Sequence, residues 1–515
     1  MTTATAPAAQ DTNRWSPRLW GTLIALCAAL FLDALDVSMV GVALPSIRTD
    51  LHLSTTSLQW VVSGYVLGYG GLLLLGGRAA DLLGRRRVFL AALAVFAVAS
   101  LLGGLVDDGG LLIATRFVKG VAAAFTAPAG LSIITTTFAE GRERNRALSI
   151  YTTCGASGFS LGLVLSGLLT EVGWRWTFLM PFPLALLALA AGSRLIPRQA
   201  VPAREGRGYD LAGAVTATGG LLLLVYTVTE AQGAGWGSAR TVLSLVAVTA
   251  LFAGFVAIEQ RTAHPLVRLG IFRKGLVARA NIGALALFGA YVGFQFIATL
   301  YLQSLLGWSA LDMALAFLPA GLIVAASATK MGALVDRYGT TRLMLVGFPA
   351  ALLAYANFLR IGVHGDYLTV ILPSMVLLGV HFALVFPSLN IQATSGVDDA
   401  EQGLASGLVN TAFQIGGAVV LAVVTAVVTS GASGGAGPDD ARSQLGGYHH
   451  ALGVVVGVAA LGLLITAVGA ARDRRAAAGR VEHPVPDYPT PSQPALQQSE
   501  PQQLTPEQPV TARRG

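Results

Sequence analysis

Fourteen apolar runs, each long enough to cross a bilayer, divide this chain and leave few folds open to it. They fall at residues 19–45, 58–77, 88–106, 111–135, 147–169, 176–195, 211–229, 241–258, 276–303, 313–334, 343–362, 368–390, 404–429 and 451–470. An α-helix rises 1.5 Å per residue, so about 20 apolar residues span the hydrocarbon core. In lipid every backbone amide must find its partner inside the protein, which selects helices for runs of this length. Only 12% of the 515 residues are charged, against about 25% in a soluble domain. The expectation is an all-α polytopic membrane protein with 14 transmembrane helices.

The connecting loops set its orientation. Those after even-numbered helices carry Arg85-Arg86-Arg87, then Arg142, Arg144 and Arg146, then Arg194, Arg198, Arg204 and Arg207. Arg261, Arg268, Arg273, Lys274 and Arg279 follow helix eight, and Arg337 and Arg342 follow helix ten. The opposite loops hold mostly single arginines: Arg48, Arg175, Arg240, Arg360 and Arg442. The positive-inside rule then puts the even-numbered loops and both termini in the cytoplasm. The acidic stretch Asp398-Asp399-Ala400-Glu401 dissents, but acidic residues weigh little in that rule. No small-residue cleavage site follows the first apolar run, so that helix reads as retained. Cys27 and Cys154 lie inside apolar runs and read neither as a disulfide nor as a zinc site. From residue 471 on, Arg472, Arg474, Arg475 and Arg480 give way to Pro and Gln, the composition of a disordered tail.

The first run contains two carboxylates, Asp33 and Asp36. A charge near the bilayer centre costs roughly 2.5–3.5 kcal/mol on insertion scales. Three residues apart, the two project from nearly one face, which must look into protein or water. That makes them candidates for a proton or cation site, with a structural pair as the plainer reading.

A repeat is visible in the loops. Gly77-Arg78-Ala79-Ala80-Asp81-Leu82-Leu83-Gly84-Arg85-Arg86 follows helix two, and Gly332-Ala333-Leu334-Val335-Asp336-Arg337-Tyr338-Gly339 follows helix ten. Glycine permits positive φ at a turn and close approach of helix ends, and a charged turn of this kind can latch one face shut. Two parallel six-helix halves would repeat the loop after helix eight. Its recurrence after helix ten implies two inserted helices, hence a 6+2+6 arrangement. The expected divisions are a cytoplasmic segment over 1–18, an N-terminal bundle over 19–195, two inserted helices with linkers over 196–275, a C-terminal bundle over 276–470 and a tail over 471–515.

Both loops resemble motif A of the major facilitator superfamily. Leu35-Asp36-Val37-Ser38-Met39-Val40-Gly41-Val42-Ala43-Leu44-Pro45 resembles the first-helix signature of its fourteen-helix drug:proton antiporters. Further similarities are Gln59-Trp60-Val61-Val62, Trp174-Arg175-Trp176-Thr177-Phe178, Pro265-Leu266-Val267 and Gly403-Leu404-Ala405-Ser406-Gly407. The resemblance covers about residues 18 to 470. Arg116-Phe117-Val118-Lys119-Gly120 looks like motif B, whose arginine the family associates with proton coupling. Helical rise puts Asp36 about 13 Å and Arg116 about 8 Å from the outer ends of helices one and four, so the two can meet in the outer half of the bundle. Lys119 stands where the family usually has Gln, adding a second cation, and Asp33 is its expected counterpart. The resulting expectation is a four-charge cluster of Asp33, Asp36, Arg116 and Lys119, with a structural ion-pair network as the alternative. Gly158, Gly162 and Gly167 on helix five occupy the place of motif C and form a small-residue packing face. Leu163 replaces that motif's proline, and Ser166 its next-to-last glycine.

Trp60, Tyr65, Tyr69 and Gln295 are candidates to line a central cavity, as are His381, Asn410 and Gln414. Interhelical bonding, an interfacial anchor at Trp60 and a core histidine at 381 are the plainer alternatives. No Gly-x-x-x-x-Gly-Lys-[Ser/Thr] run is present, which argues against ATP-driven pumping. The expectations exclude an enzyme, a cofactor, a metal and a nucleic-acid partner. The resemblance implies a monomer in the bacterial inner membrane that exchanges small amphipathic or cationic drugs for protons. Its rivals are a dedicated exporter of a natural product, siderophore or lipid, and a proton-coupled uptake carrier.

Overall fold

The computed structural model describes residues 15–139, 142–198, 210–262, 265, 267–273, 275–328, 330–397, 402–431 and 441–481. The first half of the chain holds α1 (Pro17–Asp50), α2 (Thr55–Leu83), α3 (Arg85–Leu105), α4 (Gly109–Thr137), α5 (Arg142–Val172) and α6 (Trp176–Leu195). Next come α7 (Leu211–Ala234) and α8 (Ala239–Arg261). The remainder comprises α9 (Gly275–Leu305), α10 (Ala310–Ala328), α11 (Thr340–Phe358), α12 (Tyr367–Thr394), α13 (Gln402–Gly431) and α14 (Ala441–Val481). Several begin at side-chain caps: Ser16, Asp108 and Asp210 accept bonds from the amides of Leu19, Leu111 and Gly213.

Among the described residues, 12 helices are long and apolar enough to cross a membrane, and the chain is a multi-pass membrane protein. The two outside that set are α2, of 29 residues, and α7, whose apolar stretch Ala212–Val228 is shorter. One expected run divides: the stretch 313–334 ends as α10 at Ala328, and a separate short helix, Met331–Tyr338, follows. The tail expected to be disordered from residue 471 is helical as far as Val481, as Arg and Ala favour there. Residues 482–515 lie outside the described residues.

Helix packing repeats with an offset of eight. In the first half α1 packs on α5, α2 on α4 and α3 on α4; later α9 packs on α13, α10 on α12 and α11 on α12. The two sets meet through α5 on α10 and α13 on α2, again a matched pair. α7 lies against both α2 and α13, and α8 packs on α7. Close approach of α2 to α4 depends on glycine: a Cβ on Gly76 would stand 2.1 Å from the Ala124 carbonyl oxygen.

The cores are unequal at the two ends. Where α1 finishes, Val42, Leu44 and Trp174 share one apolar cluster with Phe296, Tyr355 and Leu421. At the other end Leu26, Phe89 and Ile134 form a cluster from the first six helices alone, and Leu287, Phe348 and Leu389 form one from the later helices alone. The two sets of helices are joined at one end and carry separate cores at the other.

Candidate functional site

Two cations converge on one carboxylate in the middle of the first six helices. Arg116 donates through Nη1 to Oδ2 of Asp36, and Lys119 donates through Nζ to its Oδ1. Asp36 and Lys119 are 0% exposed and Arg116 is 2% exposed. Arg116 also donates through Nε to the Val61 carbonyl at 3.0 Å, and its guanidinium lies 4.6 Å from the centre of the Tyr65 ring. The Lys119 ammonium sits 4.8 Å and 5.3 Å from the Phe96 and Phe178 ring centres. The rings supply negative faces to cations removed from water.

Asp33 is placed differently. Its Oδ2 accepts a 3.0 Å bond from the Thr126 hydroxyl, and it keeps 6% exposure. The cation expected to pair with it, Lys119, is bonded to Asp36 instead. The four expected charges are thus near one another, but as a closed triad and a separate carboxyl.

Helix α5 holds the back of α1. A Cβ on Gly158 would approach the Phe31 carbonyl at 2.5 Å, and one on Gly162 would meet Ser38 Oγ at 2.1 Å and the Leu35 carbonyl at 2.8 Å. Those glycines let α5 seat against the turns that carry Asp33 and Asp36. Gly167 faces α10, against Ala314 and Leu311. Ser166 donates to the Met39 carbonyl at 2.5 Å, a tie that glycine there would lack.

The candidate lining residues divide. Tyr65 and Gln295 face a narrow pocket between the two sets of helices, together with Arg116, Phe288 and Thr299. Tyr69 stacks edge-on against Tyr65. Gln414 is buried and its Cβ lies against Gly70 of α2. Asn410 bonds the Ser406 carbonyl of its own helix, and His381 bonds the Gly347 carbonyl on α11 at 2.9 Å. Trp60 instead donates to Glu230 on α7 at 3.3 Å. Beside the pocket, sequence reasoning missed an aromatic ladder: Phe159 stacks on Phe382, Phe382 on Phe386 and Phe386 on Phe413. It missed Thr126 as well, although its seven-residue spacing from Lys119 puts both on one face of α4.

The charged turns behave as glycine turns. Gly84 (φ +95°) separates α2 from α3, and Gly339 (φ +75°) separates Met331–Tyr338 from α11. Arg85 donates to the Ser132 carbonyl of α4 at 3.5 Å, and Arg86 donates to the Ser193 carbonyl in the last turn of α6, so Arg86 caps that helix end. Gly77 lies beside Pro128 in ordinary contact. The Asp81 side chain lies outside the described residues. In the second turn Gly332, Asp336 and Arg337 are exposed, and Arg337 lies over the Tyr338 ring.

The Major Facilitator Superfamily model matches residues 26–421. The puromycin resistance protein pur8 of Streptomyces alboniger is 39% identical, over 79% of this chain and 81% of its own length. The cephamycin export protein CmcT of Amycolatopsis lactamdurans is 38% identical, over 80% and 86%. The lincomycin resistance protein of Streptomyces lincolnensis is 36% identical, over 80% and 85%. Among solved structures, the POT family transporter PepTSo aligns with a TM-score of 0.64 at 18% identity, covering 90% of this chain and 99% of that one. With this packing, these motifs and these relatives, the chain belongs to the major facilitator superfamily.

Proposed function

We propose that this protein exports small amphipathic compounds, antibiotics among them, from a bacterial cell in exchange for protons. It spans the inner membrane fourteen times in a 6+2+6 arrangement, with both termini cytoplasmic. The observation that carries the reading is the buried Asp36–Arg116–Lys119 triad beside Asp33, in a chain 36–39% identical to antibiotic resistance and export proteins. Burial favours a protonated carboxyl and a nearby cation favours the ionised one. Rocking one set of helices against the other changes both conditions, so a proton is bound on one side and released on the other. A pH gradient supplies roughly 1.4 kcal/mol per unit. The repeated packing supports division into bundles at 19–195 and 276–470, with 196–275 inserted between them. With cytoplasmic termini, the joined end of the molecule is the outer one. A monomer suffices for this cycle, with lipid around it.

The test is reconstitution in liposomes holding a pH-sensitive dye, with puromycin, lincomycin and a lipophilic cation added under an imposed proton gradient. Compound-triggered proton movement that disappears in Asp36→Asn supports the reading. Compound transport that ignores the gradient ends it. A dedicated natural-product exporter is the second reading, favoured by the cephamycin export relative, and would answer to one compound class only.

A further inference from the structure

Asp33 and Asp36 share a helix face, yet their surroundings assign them different work. Both Asp36 oxygens are taken by cations; Asp36 and Lys119 are sealed, and only Arg116 of the triad reaches the pocket wall. A proton placed on Asp36 would leave two buried cations without their anion, the arrangement that costs most in a protein interior. Asp33 accepts a hydroxyl, not a cation, and at 6% is the most exposed of the four. It also lies one turn nearer the start of α1, about 4.5 Å by helical rise, toward the end where the two sets of helices have separate cores.

Thr126 is built to serve both states of that carboxyl. Its single hydroxyl proton has two acceptors in reach, Asp33 Oδ2 at 3.0 Å and the Ala123 carbonyl at 3.2 Å. With Asp33 ionised, Thr126 donates to the carboxylate. With Asp33 protonated, the carboxyl O–H donates to the Thr126 oxygen, and Thr126 turns its own proton to Ala123. Neither state leaves a buried polar group unmet. The titratable groups bearing on Asp33 are Asp36 on its own helix, Lys119 on α4, Tyr65 and Tyr69 on α2, and Tyr151 on α5.

We propose that Asp33 carries the exchanged proton, that Thr126 positions it, and that Asp36 stays ionised throughout the cycle as the fixed anion of the triad. This rests on the antiport reading above and assigns the proton within it. The chemistry is a bare proton transfer: the carboxyl O–H bond breaks, its electron pair stays on Asp33, and the proton leaves to water at the edge of the carboxyl that keeps exposure. Charge then toggles. Two cations and two carboxylates sum to zero, and protonation of Asp33 raises the sum to +1. A cationic compound is disfavoured near the protonated site and admitted after the proton leaves.

Infrared difference spectra of the full chain in lipid, taken from acid to alkaline pH, read the protonated-carboxyl stretch without any compound. The expected result is one titrating buried carboxyl band, lost in Asp33→Asn. Thr126→Val should displace its midpoint and Thr126→Ser should restore it, which a purely structural role would not do. In liposomes, Asp33→Asn should lower proton-driven transport of neutral and cationic compounds alike at least tenfold. A band that survives Asp33→Asn and disappears in Asp36→Asn overturns the proposal. So does proton-coupled transport of neutral compounds in Asp33→Asn with only cationic ones lost, which would make Asp33 a substrate counter-ion. If wild type moves no protons with any compound, the antiport reading fails while the band still reports whether Asp33 titrates. Should Asp33→Asn not fold, the Thr126 pair decides alone, and an unmoved midpoint in Thr126→Val counts against it.

Discussion

The two six-helix sets pack alike but are filled with opposite chemistry. α1 and α4 bury Asp33, Asp36, Arg116 and Lys119. Their counterparts by packing, α9 and α12, bury Gln295, Thr299, Ser374 and His381, and an aromatic ladder runs beside them. A shared backbone plan therefore does not impose a shared interior. One half is organised around buried charges, and the other around neutral hydrogen-bonding groups and stacked aromatic faces that Phe159 of α5 joins.

The strongest way to break this contrast is to remove the central anion. Asp36→Asn leaves Arg116 and Lys119 buried without a counter-charge, and loss of one partner from a buried pair costs about 3–5 kcal/mol. Lys119→Gln keeps the Asp36–Arg116 pair and should cost far less. Thermal unfolding in detergent should place Asp36→Asn well below wild type, with Lys119→Gln close to it. Equal melting points for the two variants would mean that the triad is not a unit.

The second comparison concerns the backbone plan itself. Gly162 lets α5 reach the Leu35 carbonyl of α1, and Gly416 lets α13 reach the Leu285 carbonyl of α9, where a Cβ would stand 2.2 Å away. Overpacking of this kind costs about 1–3 kcal/mol. Gly162→Ala and Gly416→Ala should therefore destabilise to similar degrees, but only Gly162→Ala should also alter coupling, because only it moves α1 at Asp33 and Asp36. A normal proton-to-compound ratio in Gly162→Ala would separate the packing face from the charge site.

Sequence alone carried far into this arrangement. The helix ends fall within a few residues of most apolar runs, and helical rise brought Asp36 and Arg116 into the same half of the bundle. Gly84 and Gly339 stand at the turns their repeat implied. The partner of Lys119 was not legible, because Asp33 and Asp36 share a face and helix rotation decides between them. The break at Ala328 did leave a mark that the run 313–334 passes over: Ser327, Thr329 and Lys330 interrupt the apolar residues there. Phe382 and Phe386 sit in an apolar helix like many other residues; only the fold shows that Phe159 and Phe413 come from elsewhere to stack with them.

That aromatic ladder allows a gentler test. Phe382→Leu keeps the site apolar and removes a flat face. An aromatic pair is worth about 0.5–1.5 kcal/mol beyond area burial, and about 1.4 kcal/mol is tenfold in affinity. Binding of a planar aromatic compound should weaken by roughly two- to tenfold on this basis. The carboxyl band and the pH profile should stay in place. Fluorescence titration and the infrared measurement together check both halves of that statement, and a displaced pH profile would show that the two interiors are not separable.

The smallest effect belongs to a cluster that inverts the triad. At the joined end one cation stands between two carboxylates: Arg175 donates to Asp50 at 2.6 Å and to Asp107 at 2.5 Å, while Trp174 donates to Asp50 at 2.9 Å. It ties the end of α1 to the connections on either side of α4 and α5. The chemistry matches that around Asp36, but Arg175 is 33% exposed and Asp107 85% exposed. Water and salt screen such pairs, and exposed ion pairs are worth about 0.2–1 kcal/mol. Arg175→Gln should lower the melting point slightly in dilute buffer and by less in high salt, with proton coupling unchanged. The shift in Asp36→Asn should be nearly indifferent to salt, because the charges it orphans are sealed from it. A salt-insensitive loss in Arg175→Gln would mean that this end closes over the cluster in the membrane, and that burial rather than charge pattern separates the two sites less than their exposures imply.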